Sequence, residues 1–414
     1  MMRALSQRSR WLVRLAWMAI VGLAVLQVGV LTALWAIAAG RKRREQAQGF
    51  PHATLPEVHV DGNALQLYGY GRDLYDAMLA AVDAAQESIY LETFIWKDDA
   101  VGREFKAHLI SKARAGVAVR LVFDGFANTV VPHAFKVFPS EVKVVEYRAI
   151  RRPWHVLDPR RYVLDHRKLL IVDGSIGFLG GYNLGSVYAT EWRDSHLRIA
   201  GPAAAQLAQQ FVDFWNEHSA GADRIVRHYP RQFDPRIVVR DTNAMRLSFP
   251  IRDMYIAAID RAERCVLITN AYFIPDNSLL HALEMAAKRG VTVEVLLPWN
   301  SNHPVADWLA RGHFTRCLRA GIRLFGYRAM IHAKTCTIDG EWSTIGTANL
   351  DRLSAVGNYE INVEVYSRAL ARQMERMFVQ DKTNSDEITL ERWARRSDLS
   401  RLGELVLAPL RNVM

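Results

Sequence analysis

Apolar and polar residues follow one another along this chain in blocks that predict helices leading into buried strands. In MLAAVDAAQESIYLETF (78–94), small and apolar residues end in charge before a β-branched run, and YIAAIDRAERCVLITNA (255–271) has the same order. ARAGVAVRLVFD (113–124) and AKRGVTVEVLLP (287–298) each predict a helix that ends at a glycine, Gly116 or Gly290, before a buried strand. The repeated alternation predicts a mixed α/β fold built from two similar halves.

A long uncharged stretch precedes these halves. Residues 15–39 contain 25 consecutive residues without a charge, about 37 Å of helix, which is enough to span a bilayer. Trp11, Trp17 and Trp35 lie toward its ends, where interfacial aromatic residues are common. A cleaved signal peptide is the alternative, but its apolar region is usually only ~7 to 15 residues long. We therefore expect one N-terminal transmembrane helix, whose orientation the flanking basic residues leave open.

The length of the chain accommodates this anchor and two domains of ordinary size. We predict a membrane anchor over residues 1–44, a first half over 45–221, and a second half with a helical tail over 222–414. The boundary between the halves lies near HYPRQFDPR (228–236), where two prolines interrupt any long helix.

The formal net charge is +10, which suits an anionic membrane surface or nucleic acid, and the N-terminal apolar stretch favours the membrane. Residues 148–168 hold seven basic residues and only two acidic ones. This segment is either a solvated loop or a loop that binds lipid headgroups, because arginine matches phosphate oxygens bidentately.

A pattern of chemically active residues occurs once in each half. His-x-Lys, four further residues and Asp are followed by a glycine, an asparagine and an acid at matched distances of 14, 17 and 28 residues from the histidine. The matched pairs are His166 and His332, Lys168 and Lys334, Asp173 and Asp339, Gly180 and Gly346, Asn183 and Asn349, and Asp194 and Glu360. A lone histidine is usually a core residue, whereas a sixfold match indicates a duplicated functional unit.

Two such units facing each other suit chemistry on a phosphodiester. On a strand, His and Lys two residues apart point to the same face. One imidazole attacks phosphorus to give a phosphohistidine, and the other acts as general acid and base. The lysines neutralise the phosphate oxygens without a metal, and the three cysteines have no metal-ligand spacing. We predict that the asparagines bind substrate and that Asp194 and Glu360 orient the histidines.

The sequence allows two roles for the two motif aspartates. Asp173 and Asp339 complete the His-x-Lys motif, and we count them in the catalytic set on that ground. Each also lies directly ahead of a glycine, which favours a structural role in a turn.

These residues resemble the phospholipase D superfamily, whose signature is His-x-Lys-(x)4-Asp in two copies. Within it, the chain is most similar to the bacterial cardiolipin synthases. The matching segments are ETFIW (92–96), HRKLLIVDGSIGFLGGYN (166–183), IHAKTCTIDGEWSTIGTANLD (331–351) and the tail LERWARRSDLSRLGELVLAPL (390–410).

The resemblance implies two α/β halves related by a pseudo-twofold axis around one shared site. It further implies that His166 and His332 are nucleophile and general acid/base, that Lys168 and Lys334 bind phosphate, and that no cofactor takes part. The implied reaction transfers a phosphatidyl group from one phosphatidylglycerol to another at the bacterial inner membrane. Cardiolipin synthases of this type often have two membrane spans, whereas this chain has one apolar stretch of that length.

Three alternatives remain open at this stage. Water and an alcohol can both attack a phosphohistidine, so a hydrolase of phospholipids, or less favourably of nucleic acid, is an alternative to a transferase. A non-catalytic lipid-binding protein is disfavoured because both His-Lys pairs are intact. In the tail, Leu399, Leu402, Val406 and Leu410 recur at helical spacing, which predicts a helix that lies on a lipid surface or packs on the second half.

Overall fold

The computed structural model describes residues 49–150, 154, 162–219, 221–229 and 236–409, together with scattered positions between 14 and 36. No helix within these residues is both long enough and apolar enough to cross a bilayer. Much of the predicted span 15–39 lies outside the described residues, as do positions 230–235 of the predicted boundary and Leu410 of the tail.

The first half is built on one eight-stranded sheet. The strands in spatial order are β1 (Val58–Val60), β2 (Asn63–Tyr68), β9 (His196–Ala200), β8 (Ile176–Gly180), β7 (Leu169–Val172), β3 (Ser88–Thr93), β4 (Ala118–Asp124) and β5 (Val142–Tyr147). The helices are α1 (Gly71–Ala84), α2 (Ala100–Arg114), α3 (His133–Lys136), α4 (Ser186–Thr190) and α5 (Ala204–His218).

The second half is built on a nine-stranded sheet. The strands in spatial order are β10 (Ile237–Thr242), β16 (Asn358–Tyr366), β15 (Trp342–Gly346), β14 (Lys334–Ile338), β11 (Cys265–Asn270), β12 (Thr292–Pro298), β13 (Arg323–Tyr327) and β17 (Ser385–Ile388), with β6 (Leu164–Asp165) from the first half paired to β16. The helices are α6 (Pro250–Asp260), α7 (Asn277–Lys288), α8 (Pro304–Arg319), α9 (Arg352–Val356), α10 (Arg368–Thr383), α11 (Leu390–Ala394) and α12 (Asp398–Leu407).

Seven strands correspond between the two sheets. The order β2-β9-β8-β7-β3-β4-β5 of the first repeats as β10-β16-β15-β14-β11-β12-β13 in the second, with parallel pairs β3–β4–β5 and β11–β12–β13 at equivalent places. The predicted mixed α/β fold in two similar halves is therefore confirmed. The predicted glycine ends are also confirmed, since Gly116 and Gly290 follow α2 and α7 with φ of 93° and 91°.

Alternating burial along the strands explains how the halves pack. In β3, Ile89 and Leu91 face the outer helices α1 and α2, whereas Tyr90 faces inward. The inner faces of both sheets share one hydrophobic cluster, in which Leu179 and Ile199 of the first half join Ile361 and others of the second. Side chains of α5 and α10 belong to the same cluster, so the two halves are joined by one shared core.

Candidate active site

Each His-x-Lys pair lies at the entrance to a strand. His166 and Lys168 immediately precede β7, and Lys334 is the first residue of β14. The expectation that both residues lie within the strand is met only by Lys334, since Lys168 lies one position ahead of β7 and the two histidines lie two or three positions ahead of their strands. The reason is that the backbone N–H of each histidine donates its hydrogen bond to a carbonyl of the opposite half and not to the neighbouring strand of its own sheet.

These backbone bonds are reciprocal. The N–H of His166 donates to the carbonyl of Tyr359 at 3.1 Å, and the N–H of His332 donates to the carbonyl of Arg193 at 2.6 Å. Tyr359 and Arg193 directly precede Glu360 and Asp194 in the sequence. Each histidine is therefore fastened beside the acid of the other half.

His166 pairs with Glu360. Its Nδ1 lies 2.9 Å from Oε1 of Glu360, and both side chains are buried. Thr347 holds the carboxyl group in place by donating its hydroxyl to Oε2 at 2.5 Å, while the N–H of Ile361 donates to Oγ1 of Thr347 at 2.9 Å. The glutamate is thus fixed by a residue of its own half and contacts the histidine of the other.

His332 pairs with Asp194 in the same crossed way. Its Nδ1 lies 2.6 Å from Oδ2 of Asp194, and the backbone N–H of Ser195 donates to Oδ1 of that aspartate at 2.7 Å. The position equivalent to Thr347 is Gly181, where a Cβ would lie 2.1 Å from Oδ1 of Asp194. The shorter side chain of Asp194 therefore accepts a backbone N–H directly. The Thr347 hydroxyl instead lies between the carboxyl group of Glu360 and the backbone.

The duplicated glycines make this arrangement possible. A Cβ on Gly180 would lie 2.3 Å from the carbonyl of Ser195, and a Cβ on Gly346 would lie 2.3 Å from the carbonyl of Ile361. Real side chains do not tolerate such distances. Glycine at these two positions lets each acid-bearing segment run close beside the strand that follows the motif.

The two lysines are buried with part of their donor capacity used. Nζ of Lys168 donates to the carbonyl of His166 at 2.7 Å, and Nζ of Lys334 donates to the carbonyl of His332 and lies 2.9 Å from Nδ1 of that residue. Burial lowers the pKa of Lys168 to about 7 and that of Lys334 to about 8. An ammonium has three N–H donors, so each lysine can still reach a phosphate oxygen.

Burial and positive charge also act on the imidazoles. Burial, then the charges of Lys168 and Lys334, holds the pKa of His166 well below its usual range. Burial and Lys334 lower the pKa of His332 to about 3. A neutral imidazole that donates its Nδ1–H to a carboxylate keeps a lone pair on Nε2, which is the form that can attack phosphorus.

The two acids differ in ionisation. Burial raises the pKa of Asp194, but the charge of Lys334 and the contact with His332 outweigh it, and the pKa lies below the usual range. Burial raises the pKa of Glu360 to about 8. The two histidines are therefore similar in position but different in electrostatic environment.

The two asparagines are buried but bonded differently. Oδ1 of Asn183 accepts from the N–H of Ile95 at 3.1 Å, which orients its carboxamide. Oδ1 of Asn349 has no hydrogen-bond partner within the described part of the chain. Their predicted contact with substrate stays a prediction.

Asp173 and Asp339 lie at the far ends of β7 and β14 from the histidines. The carboxylate of Asp173 accepts three backbone N–H groups, from Gln86, Glu87 and Ser88, at 2.8–2.9 Å. Asp339 accepts those of residues 263–265 at the same distances. Each therefore ties the turn after the motif strand to the start of β3 or β11, which favours the structural role, and their place in the catalytic set stays a prediction.

The sequence reasoning missed a buried ion pair between the halves. Arg193 donates from Nε and Nη2 to the two carboxylate oxygens of Asp381 in α10, at 2.9 and 2.7 Å. It also donates to the carbonyl of Asp194 and to Oγ of Ser195. The adjacency of Arg193 to Asp194 was the only signal available, and it does not reveal a partner 188 positions away.

A second missed cluster lies only in the first half. Arg167 donates to Oε1 of Glu92 at 2.5 Å and contacts Asp165 at 3.5 Å, and all three side chains are buried. Burial raises the pKa of both Glu92 and Asp165. The residues at the equivalent positions of the second half are Thr269, Ile331 and Ala333, so the duplication was not preserved here. Within the described residues, no group of three or more His, Cys, Asp or Glu side chains could hold a metal ion.

Comparison with known proteins agrees with this geometry. A family model described as cardiolipin synthase, PLD-like domain, matches residues 78–215 and 255–382, one segment in each half. A cardiolipin synthase of Clostridium perfringens strain SM101 is 30% identical over 378 residues, covering 84% of this chain and 77% of that protein. A cardiolipin synthase of Staphylococcus aureus strain Mu50 is 30% identical over 362 residues, covering 81% and 70% respectively.

Two solved structures share the fold at low sequence identity. Phosphatidylserine synthase of Haemophilus influenzae Rd KW20 superposes with a TM-score of 0.63 at 14% identity, covering 86% of this chain and 93% of that one. Polyphosphate kinase of Porphyromonas gingivalis superposes with a TM-score of 0.54 at 14% identity, covering 89% and 57%.

The fold and the paired histidines define an enzyme of the phospholipase D superfamily. The chain belongs to the cardiolipin synthase, PLD-like domain family, whose model matches both halves. It is a phosphatidyltransferase of the cardiolipin synthase type.

Proposed function

We propose that this protein makes cardiolipin and glycerol from two molecules of phosphatidylglycerol through a covalent phosphohistidine. The observation that supports this most strongly is the crossed pairing of His166 with Glu360 and of His332 with Asp194, beside two buried lysines. Each histidine has an acid that fixes its Nδ1, so either Nε2 can reach a reacting group. The similarity to two cardiolipin synthases supports the choice of substrates.

In the first step, Nε2 of one histidine attacks the phosphorus of phosphatidylglycerol and the P–O bond to the head glycerol breaks. The second histidine, which this step requires to be protonated in spite of its lowered pKa, donates that proton to the departing glycerol oxygen. Lys168 and Lys334 donate hydrogen bonds to the non-bridging oxygens as negative charge builds on them. The products of this step are free glycerol and a phosphatidyl group on the first histidine.

In the second step, the terminal glycerol hydroxyl of another phosphatidylglycerol enters. The second histidine, now neutral, removes its proton, and the alkoxide oxygen attacks phosphorus while the P–N bond breaks. Cardiolipin leaves, the first histidine is restored, and the second carries the proton needed for the next cycle. Asn183 and Asn349 are proposed to bind substrate, and Asp194 and Glu360 to orient the histidines. No metal or cofactor takes part in this scheme.

The partners of this reaction are anionic membrane lipids. We propose that the enzyme acts at the bacterial inner membrane and that residues 15–39 form a single N-terminal span, on the strength of their 25 uncharged residues. The net charge of +10 favours an anionic surface in the same way.

The deciding experiment is incubation of the purified full-length protein with phosphatidylglycerol in mixed micelles, followed by separation of the lipid products. We expect cardiolipin and glycerol in equal amounts, with no effect of a chelator. Phosphatidic acid without cardiolipin would rule out the transferase and leave a hydrolase. His166→Ala and His332→Ala should each abolish turnover, and trapping of the adduct in each variant should identify the histidine that carries the phosphatidyl group.

A further inference from the structure

Several large apolar side chains are exposed in two loops of the first half. Phe126 and Val130, in the loop after β4, are 70% and 89% exposed, and Ile150, in the loop after β5, is 40% exposed. Trp154 and Tyr162, further along the second loop, are 61% and 53% exposed. We call these five the rim residues. Soluble proteins expose single apolar side chains commonly, but a group in adjacent loops indicates an interaction surface.

These loops border the active site. β3, β4 and β5 are parallel neighbours, so the segments that follow them leave the sheet at one edge. Asp124, the last residue of β4, accepts the N–H of Asp165 at 3.0 Å, directly before His166. Tyr147, the last residue of β5, donates its hydroxyl to the carbonyl of Val163 at 3.2 Å. The loops that carry the rim residues therefore begin beside the segment that leads into His166.

The second half also exposes large apolar side chains. Trp299 follows β12, the counterpart of β4, and is 41% exposed. α8 begins beyond this loop, and α12 runs back along it, with Gly403 close to Trp308 near the start of α8. Leu402 and Leu405 of α12 are 52% and 71% exposed.

The N-terminal segment meets the molecule in this region. Nε2 of Gln27 donates to the carbonyl of Val406 in α12 at 3.0 Å, and Val30 packs against the core of the second half. The apolar stretch that is proposed to cross the membrane is therefore attached beside the end of α12.

Charge identifies the kind of surface. Residues 148–162, which contain three of the rim residues, carry five basic side chains and one acidic side chain in the sequence, whereas Asp165, Arg167 and Lys168 just beyond them are buried. Apolar side chains interleaved with basic ones are typical of segments that bind anionic lipid. A zwitterionic or uncharged surface would offer no negative charge to pair with the basic residues of this loop.

We infer that the rim residues insert into the surface of an anionic bilayer, so that the active site opens directly onto the lipid phase. This rests on the proposed function, because it assigns the face through which the phospholipid substrate enters. Phosphatidylglycerol then passes from the bilayer to the histidines without its acyl chains crossing water.

Depth-dependent fluorescence tests this in the full-length protein. Val130→Cys and, as a matched control, Val226→Cys are each labelled with an environment-sensitive dye in a Cys265→Ser background, since Cys317 and Cys336 are buried. Val226 is 85% exposed, and its neighbour Arg227 bonds to Glu87 ahead of β3, at the opposite edge of the sheet. The labelled proteins are reconstituted in phosphatidylglycerol liposomes that contain a doxyl-lipid quencher.

We expect at least twofold stronger quenching at position 130 than at 226, and weaker quenching at 130 in phosphatidylcholine liposomes. Equal quenching at the two positions would overturn the inference, and equal quenching at 130 in both lipids would overturn the choice of an anionic surface. Shielding of the label at 130 that rises with protein concentration at fixed lipid would assign the rim to a second copy of the chain, and would also overturn it.

A functional test uses Phe126→Ser/Val130→Ser, with Val226→Ser as control. Turnover of phosphatidylglycerol in vesicles should fall at least fivefold in the double variant, while turnover of a short-chain, monomerically dissolved phosphatidylglycerol stays unchanged. Unchanged turnover on vesicles would contradict the inference. If no protein makes cardiolipin from either substrate, the proposed function fails, whereas the quenching experiment still decides where the rim lies.

Discussion

Asp194 and His332 lie in opposite halves of the chain, and Oδ2 of the one is 2.6 Å from Nδ1 of the other. Glu360 and His166 form the reciprocal pair. Neither half therefore contains a complete site, because each supplies the histidine of one pair and the acid of the other. This relationship accounts for the retention of both copies of the motif within one polypeptide, and the predictions below depend on it.

Replacing either acid by its amide should disable the histidine of the other half. In Asp194→Asn and Glu360→Gln we expect turnover to fall roughly 10²- to 10⁴-fold, because the imidazole loses the carboxylate that fixes its tautomer. Asp253→Asn is the control, since that side chain is three-quarters exposed on α6.

Nitrogen-15 NMR of the imidazoles tests directly whether each histidine is paired with the acid of the other half. Asp194→Asn should perturb the Nδ1 resonance of His332 and leave that of His166 nearly unchanged, and Glu360→Gln should do the reverse. Perturbation of the histidine of the same half in each variant would contradict the crossed pairing.

Activity should decline on the alkaline side because the lysines lose their charge there. Burial lowers the pKa of Lys168 to about 7 and that of Lys334 to about 8, so each ammonium is protonated below these values and neutral above them. As pH rises through 7 to 8, the attraction for the phosphate is lost and kcat/KM should fall. Lys168→Arg keeps its charge over this range and should move the decline toward pH 8, the value set by Lys334.

The measurement is the ratio of kcat/KM at pH 6.5 to that at pH 8.5. This ratio should be smaller in Lys168→Arg than in the wild type, provided that the arginine variant retains measurable activity. Lys143→Arg, at an exposed position, should leave the ratio unaltered. The same ratio in all three proteins would show that the alkaline decline has another origin.

The motif aspartates should affect stability more than chemistry. Asp173→Ala deprives three backbone N–H groups of their acceptor, and we expect the free energy of unfolding to fall by about 1–3 kcal/mol, with kcat of the folded protein changed less than tenfold. Denaturant titration of the variant, beside Asp253→Ala as a surface control, provides the measurement. A loss of kcat as large as that of His166→Ala, in a variant that is still folded, would instead support the predicted place of Asp173 in the catalytic set.

The sign of the pH dependence for Asp173 follows from its pKa. Burial raises the pKa, but the hydrogen bonds from Ser88, Gln86 and Glu87 outweigh it and lower the pKa below its ordinary value. The stabilising contribution is therefore fully present above the unfolded pKa of about 3.9 and is lost as pH falls through the lower folded value. The difference in unfolding free energy between wild type and Asp173→Ala should be constant near neutrality and shrink below about pH 4.

Removing only one partner of the buried Arg193–Asp381 pair should lower the free energy of unfolding strongly. Asp381→Leu leaves the guanidinium of Arg193 buried without its carboxylate, and we expect a loss of about 3–5 kcal/mol in unfolding free energy. Arg193→Met/Asp381→Leu removes both charges and should recover much of this loss. Glu391→Gln breaks an exposed pair with Arg395 and should cost less than about 1 kcal/mol. A double variant less stable than Asp381→Leu would contradict this account.

The sequence by itself determined the halves and the residues of the site. The blocks at 78–94 and 255–271 specify helix and strand through local periodicity, which depends only on near neighbours in the chain. The six matched positions, from His166 and His332 to Asp194 and Glu360, marked the residues of the candidate site because duplicated chemistry is visible as duplicated spacing. Gly180 and Gly346 also appeared in that match, but the sequence did not show that a Cβ at either position would clash with the segment that carries the acid.

Only the tertiary structure decided which acid serves which histidine. Equal spacing of 28 residues in both halves is compatible with pairing within a half or across the halves, because sequence distance carries no information about packing of the two sheets. The backbone bonds from His166 to Tyr359 and from His332 to Arg193 form only when the two halves pack together through their shared core. The same burial lowers the pKa of both lysines and pairs Arg193 with Asp381. The sequence names the groups, and the docking of the halves supplies the desolvation and the partners that determine their chemistry.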